Sequence, residues 1–408
     1  MSTNPVAPER VIALEPHSAA AVEKPEPICL YTRAWRASGT GLFAQELVDG
    51  LLASGAEVTF VSPVVDNAKM ERPRPGLRRL RPVREMVGPA PRVTRALRSL
   101  RRIGGSFVAL FQARLHARTF IITIPDPLML FLPMLLLLRL TGARVIFIAH
   151  DPIPHGWRFS QRWRSVEKAS HGACYYLSNA VVVLSEASRQ KLLECFPRLR
   201  VVVDVIEHGD FAFHEVTPLP GNGQLLAFGT LRRNKGVREA IEGCIAARRA
   251  GAPVHLIVAG EIYREEPDYA EECLAIARTA PDAVTIQIGY VDDAALPALI
   301  AQSDALLMPY KDFFSQSGVA LLAASNARPI IASEAGGITS LIREGMPSTV
   351  IERPVDSPCV ANAILRHIAT PTAQWTESAI AYRLYTLERR SWPSLARRYA
   401  ALANKIKH

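Results

Sequence analysis

Long hydrophobic runs are missing from this 408-residue chain. The most apolar stretch, residues 128–138 (LMLFLPMLLLL), is about half the length that crosses a bilayer, and Pro133 interrupts it. Asp126 and Arg139 bound it on either side. It reads as a core helix, with a shallow membrane-inserted helix as the competing reading. Cysteine is scattered at positions 29, 174, 195, 244, 273 and 359 with no CxxC pair. That spacing excludes a familiar zinc site and suits a reducing compartment without disulfides. No secretory leader is expected: residues 1–27 are polar, acidic and proline-bearing, and are expected to be a disordered tail. Acid is scarce between Arg72 and Arg102, where eleven arginines meet one glutamate, Glu85.

The net charge is +10 and the pI near 9.5, so anionic partners are favoured: phosphates, nucleic acid or an acidic membrane surface. Few aromatics lie among the arginines, which leaves base stacking poorly supplied and argues against nucleic acid. Residues 92–114 carry arginines at 92, 95, 98, 101, 102 and 114, interleaved with Leu97, Leu100, Ile103, Phe107, Leu110 and Phe111. This pattern fits a basic amphipathic helix on anionic lipid, broken in two at Gly104-Gly105. A surface helix with a solvated face is the plain alternative.

The chain alternates strand and helix. A short strand at 28–31 leads through Ser38-Gly39-Thr40-Gly41 to helical apolar spacing at Leu42, Leu47, Leu51 and Leu52, then to a strand at 57–61. Gly41 lets backbone approach a ligand, although an ordinary turn explains the glycines equally well. Residues 144–149 (RVIFIA) form a strand running straight into His150-Asp151-Pro152. Ligands of open α/β sheets sit at the carboxyl ends of strands, which makes His150 and Asp151 site candidates; turn chemistry is the alternative. The tract from Pro154-His155 through Trp157 to Arg164 suits acceptor contact.

After a linker at 216–223 the alternation restarts, predicting a second doubly wound sheet. Residues 225–236 (LLAFGTLRRNKG) read as a buried strand, a glycine turn and a basic loop opening a helix at Val237. Unpaired N–H groups at that helix start, with Arg232, Arg233, Lys235 and the backbone of Gly236, suit a diphosphate. A solvated basic loop is the plain reading. Gln316-Ser317-Gly318 falls at another helix start and forms a second anion pocket, with Ser317 equally suited to capping. Glu261 and Tyr290-Val291 follow strands and could frame a nucleoside. The tail is helical, interrupted at Trp392-Pro393. The expected organisation is a tail (1–27), two Rossmann-like domains (28–215 and 224–373) and a last helix crossing back (374–408).

With these segments in place the chain resembles the GT-B glycosyltransferases, especially the family-4-like group, over about residues 28–405. FGTLRRNKGV (228–237) is similar to that group's FGxIRxYKG donor-phosphate motif, and Arg232 and Lys235 fall on its basic positions. MPYKDFFSQSGVALLAASNARPIIASEAGG (308–337) resembles the segment from the donor-sugar loop to the GG turn. FIAHDP (147–152) is similar to the first-domain strand that ends in a donor-contacting histidine, and HGD (208–210) also recurs in the group. The variant further resembles enzymes of exopolysaccharide assembly, including the xanthan-type mannosyltransferase. One departure stands out: the Glu-x7-Glu motif is replaced by Ser315 and Ala323, which leaves retaining or inverting stereochemistry open. An inverting reaction would need a base such as Asp151 or His155.

The resemblance implies an α/β GT-B enzyme moving a hexose from a UDP- or GDP-sugar to a lipid-linked saccharide. No resident cofactor or metal is expected, and positive charge would stabilise the leaving diphosphate. His150 would meet the donor sugar or the reacting centre, with Asp151 as the other catalytic candidate; Arg232, Lys235, Gly236, Gln316, Ser317 and Gly318 would hold the donor. The expected place is the cytoplasmic face of the membrane, docked through residues 92–114. A catalytically inactive scaffold in a polysaccharide complex is the other reading.

Overall fold

The computed structural model describes residues 26–33, 40–63, 73–81, 91–125, 127–153, 161–211, 216–292, 295–311, 313 and 317–406. Among the described residues, thirteen strands form two wholly parallel sheets. In the first, β1 (Ile28–Tyr31), β2 (Val58–Val61), β3 (Leu77–Leu80), β4 (Thr119–Ile122), β5 (Arg144–Ala149), β6 (Ala180–Val183) and β7 (Val202–Val205) lie in the order β3-β2-β1-β4-β5-β6-β7. In the second, β8 (Gln224–Phe228), β9 (His255–Gly260), β10 (Val284–Ile288), β11 (Ala305–Met308), β12 (Ile330–Ser333) and β13 (Ser348–Ile351) lie in the order β10-β9-β8-β11-β12-β13. Each order reverses once, between β1 and β4 and between β8 and β11. These are the switch points where crossover helices leave opposite faces and a crevice opens at the strand ends.

The central strands are apolar at every position because helices cover both faces: ICLY in β1, AVVV in β6 and ALLM in β11 are buried throughout. Each sheet has a core cluster on either side. The predicted α/β architecture of two doubly wound sheets is the observed one.

Several local expectations are corrected. The basic helix runs unbroken from Arg92 to Arg114, through Gly104-Gly105, because Ser106, Ala109, Leu110 and Ala113 anchor its inner face and offset the glycine penalty. The apolar helix extends from Leu128 to Leu140 and only half of it is core: Phe131, Met134, Leu135 and Leu138 are buried, while Leu130, Leu136, Leu137 and Leu140 are exposed. The helix after Ser317 stops at Ser325, short of the apolar spacing that predicts a helix to Ala327, because Ala327 adopts a left-handed φ of 50°. Strand β3 hides inside the arginine-rich stretch as LRRL at a sheet edge, where charge guards against edge pairing. Strand β13 and the helix Ser357–Ala369 were not anticipated by the pattern either.

The tail makes two helices. Thr372–Arg390 lies on the second half of the chain, where Tyr382 joins a core cluster and the Arg390 guanidinium contacts both carboxylate oxygens of Glu344, at 2.9 and 2.7 Å. Trp392–Lys405 crosses back. Trp392, Leu395, Ala396, Tyr399 and Leu402 enter the core of the first half beside Phe43, Leu47 and Leu51 of the helix Thr40–Ala53. The HGD segment is tied at this crossing: the Asp210 N–H donates to the Arg390 carbonyl at 3.0 Å, and the Trp392 indole donates to the Asp210 carbonyl at 2.8 Å.

Candidate active site

The switch point of the second sheet gathers the basic loop and the start of the helix Gly318–Ser325. Gly229, with φ 107°, directly follows the end of strand β8 at Phe228. A Cβ there would lie 2.7 Å from the Lys235 Nζ and 3.9 Å from a Val319 methyl. The ammonium group and the start of the helix Gly318–Ser325 therefore converge over one bare patch of backbone. This is the geometry by which glycine lets a ligand approach main chain.

Lys235 gets there because residues Arg233–Lys235 form one 3₁₀ turn closed by Gly236 in the left-handed conformation, φ 63° and ψ 32°. Gly236 begins the helix Val237–Arg249 and lies under β11: a Cβ would sit 2.1 Å from the Pro309 carbonyl oxygen. We expect Gly236→Ala to lose several kcal/mol, of order 3, through strain plus that clash. A thermal-melt shift of less than about 2 °C would contradict this.

Lys235 is enclosed among Phe228, Gly229, Pro309 and Tyr310, with Nζ 5.8 Å from the Tyr310 ring centroid. Burial, aided by the nearby Arg232 charge, lowers its pKa to about 8. Such a site is short of negative charge. Arg232 stacks its guanidinium 4.0 Å from the Tyr263 ring centroid, which fixes the fork without an acid. Arg233 differs: its guanidinium stacks on Tyr269 and pairs with Glu272 at 3.4 Å, so its charge is spent on structure.

Ser317 caps the helix Gly318–Ser325, its Oγ accepting the Ala320 N–H at 3.2 Å, and it is buried. Capping thus engages its oxygen, and the space beside Gly318 is open: an added Cβ there would meet nothing within 4 Å among the described residues. Gln316, and also Ser315 and His155, lie outside the described residues. Glu261 and Tyr290 are exposed at the ends of β9 and β10, while Val291 packs partly into the core below. Gly41 is buried in the first turn of the helix Thr40–Ala53.

His150 and Asp151 line a different cavity, of about 330 Å³, at the carboxyl ends of β4 and β5 in the first half. Thr123 Oγ1 and His150 Nε2 share a hydrogen bond at 2.7 Å, and Phe43 meets the imidazole edge-on at 4.8 Å between centroids. Burial outweighs the adjacent Asp151 and lowers the His150 pKa to about 4, so the ring is neutral at ordinary pH. Phe43 also meets His208 and Trp392, which links this histidine to the HGD segment and the crossing helix. The cavity's walls are chiefly apolar and include Leu128, Met129 and Phe147, with Glu167, Ser170 and His171 as further polar members.

Two features escaped the sequence reading. Lys311 pairs through Nζ with the buried carboxylate of Glu239 at 2.7 Å, and its N–H donates to the Asn234 carbonyl, which pins the basic loop to the end of β11. A cavity of about 400 Å³ lies between the halves, lined by Glu186 and Gln190 from the first and by Lys311, Phe313, Arg343 and Arg353 from the second. Arg343 and Arg353 had no motif to mark them. Among the described residues, no group of three His, Cys, Asp or Glu side chains is placed to hold a metal ion.

Residues 37–209 match the profile described as Glycosyltransferase Family 4, and residues 222–370 match Glycosyl transferases group 1. The alpha-D-kanosaminyltransferase of Streptomyces kanamyceticus is 28% identical over 148 residues, 36% of either chain. The glycogen synthase of Mycobacterium tuberculosis is 26% identical over 204 residues, 48% of this chain and 47% of that one. The alignments thus span less than half the length of these curated relatives. Solved structures match over nearly the whole chain. Sucrose-phosphate synthase from Thermosynechococcus elongatus gives a TM-score of 0.68 at 18% identity, covering 93% of this chain and 99% of its own. Anabaena HepE in complex with UDP and glucose gives 0.66 at 16%, with the same coverage. Two family profiles that between them take up most of the chain, on two Rossmann-like sheets with GT-B neighbours, place this protein in the GT-B glycosyltransferases of the family-4-like group.

Proposed function

We propose that this protein transfers a hexose from a UDP- or GDP-sugar to a lipid-linked saccharide, in the synthesis of an exopolysaccharide or another cell-surface polysaccharide. The observation that carries the reading is the convergence of Lys235 and the Gly318 helix start over Gly229 at a sheet switch point. It is a diphosphate cradle with an under-neutralised ammonium, and Anabaena HepE has been solved with UDP and glucose on the same fold. Arg232 and Lys235 neutralise the leaving diphosphate, without need of a resident cofactor or metal. Gly318 offers its backbone N–H beside Ser317, with Gln316 a donor contact on the sequence reading; the Gly236 N–H is taken by the Arg233 carbonyl at 3.1 Å, so Gly236 serves by closing the turn that carries Lys235. Exposed Glu261 and Tyr290, with Val291, border the nucleoside. His150 and Asp151 act on the acceptor side, where neutral His150 meets the reacting centre. The enzyme works at the cytoplasmic face of the membrane, drawn to anionic lipid by the arginines of residues 92–114. No helix among the described residues is long and apolar enough to cross a membrane, which fits peripheral attachment.

The missing carboxylates favour the second reading, a scaffold that binds donor without turnover; Ala323 is wholly buried in the place of one of them. A panel of UDP- and GDP-hexoses, assayed for hydrolysis and for transfer with membrane extract, separates the two. Transfer that persists in a chelator supports the metal-independent enzyme. Nucleotide binding by calorimetry without turnover supports the scaffold, and the absence of both overturns either.

A further inference from the structure

Ten of the twenty large apolar side chains exposed among the described residues fall between Val93 and Leu140. They are not scattered. On the helix Arg92–Arg114 and its end, Val93, Leu97, Leu100, Val108, Phe111 and Leu115 recur at three- and four-residue steps, with Gly104 completing the row. This spacing makes one stripe along the helix. The stripe faces away from the sheet: Leu97 is 61% exposed, Leu100 63% and Leu115 80%, while Ala109, Leu110 and Ala113 pack inward.

The helix Leu128–Leu140 lies beside it. Both bury their inner faces in the same core cluster on one side of the first sheet. Their carboxyl ends are tied together, because the Arg114 guanidinium donates to the Thr141 hydroxyl at 3.2 Å and also to the Thr141 carbonyl. The outer face of this second helix is bare leucine at 130, 136, 137 and 140, with Leu140 74% exposed. Two adjacent helices thus turn apolar rows toward solvent on one surface, a patch that a soluble chain rarely leaves uncovered.

Charge chooses what covers it. Between Glu85 and Asp151 the sequence holds a single acid, Asp126, against nine arginines. A second copy seated on the stripe would bring arginines against arginines. A bilayer with anionic headgroups meets both needs, accepting the arginines at the headgroup level and the leucines below it.

We infer that the two helices form one insertion surface, which seats the first half of the protein in an anionic bilayer by burying the leucine rows as well as by charge. This deepens the membrane attachment proposed above and rests on that reading only for the acceptor. Leu128 and Met129 at the start of the second helix line the cavity beside His150, and Leu140 ends it. At 1.5 Å per residue the cavity wall then stands within about 20 Å of the inserted end. An acceptor sugar next to its lipid anchor could reach that distance.

The test is partition of the full chain onto vesicles containing phosphatidylglycerol or made of phosphatidylcholine alone. Leu97→Gln/Leu100→Gln and Leu136→Gln/Leu137→Gln should each weaken partition onto the anionic vesicles by about tenfold or more, at low and high salt alike. Arg95→Gln/Arg101→Gln should weaken it strongly at about 0.1 M salt and little at about 0.5 M. Leu100→Trp should be quenched by brominated acyl chains. All these side chains are exposed, so folding is preserved, and circular dichroism checks this. Nucleotide-sugar affinity should not move in any variant; its absence from all forms of the protein would fail the enzyme reading and leave the surface standing. Leucine variants that partition normally, or an unquenched Trp, overturn the insertion surface. So does a concentration-dependent dimer abolished by the leucine variants, which would make the stripe a seam between copies.

Discussion

Lys235→Ala should weaken binding of the nucleotide diphosphate by about 2–3 kcal/mol, roughly 30- to 150-fold, the usual size of a lost charge-assisted contact. The structure gives the reason for singling it out. Arg233 is committed to Tyr269 and Glu272, whereas Lys235 is enclosed against Gly229 and is held at a pKa of about 8 by burial and by Arg232. A pH dependence follows. The free ammonium loses its proton above about pH 8, and a diphosphate binds the protonated form and raises its pKa. Affinity should therefore be level below pH 8 and fall as pH rises above it, approaching tenfold per unit. Near pH 8 binding should take up about half a proton, visible in calorimetry as a dependence on the buffer's ionisation enthalpy. Lys235→Ala should abolish both the alkaline fall and the proton uptake. An unchanged affinity in this variant, or an alkaline limb that survives it, would show that another group meets the phosphates.

The second large effect is on rate. His150→Ala should reduce kcat by about 10²–10⁴-fold, the range for a positioned proton-transferring or polarising side chain, and should leave donor affinity within a few-fold of the parent. The split arises because His150 and Lys235 occupy cavities on different halves of the chain. Burial holds the imidazole at a pKa of about 4, and the hydrogen bond with Thr123 fixes its plane. The acid limb of the pH–rate profile should therefore lie well below the ordinary histidine value of about 6.5. Thr123→Val should lower kcat less than His150→Ala does, because it frees the ring without removing it. Single-turnover kinetics on the donor found under the screen described above measures each quantity. A kcat within tenfold of the parent for His150→Ala would remove this residue from the chemistry.

Much of the fold is legible in the chain. The strands that lie inside the sheets carry unbroken apolar runs with β-branched residues, such as VIFIA after Arg144 and AVVV, and their helices follow at regular intervals. Edge strands are harder to see. LRRL in β3 has two arginines because one side of an edge strand faces water, and its signal is lost among its neighbours. The apolar helix Leu128–Leu140 misleads in the opposite way: it is hydrophobic all round, a pattern that reads as burial, yet four of its leucines are exposed. Composition records what a helix contains, and only its neighbours decide which faces are covered.

The site divides along the same line. The basic loop, its helix start and the His150 strand end were readable because local chemistry and position after a strand mark them. Which basic residue remains available was not readable. Arg232, Arg233 and Lys235 are equivalent in one dimension, and only Tyr263, Tyr269 and Glu272, folded against them from beyond β9, set them apart. The same holds for Glu239 beneath Lys311 and for the arginines of the cavity between the halves. By itself the sequence determined the strand-helix alternation, the two-sheet class and where helix starts follow strand ends, since these follow from periodicity and helix termini. The tertiary structure alone decided which charges are neutralised, how far each ionisable group is moved by burial, and which leucines face solvent. Those properties depend on contacts between residues far apart in the chain, about which a local pattern carries no information.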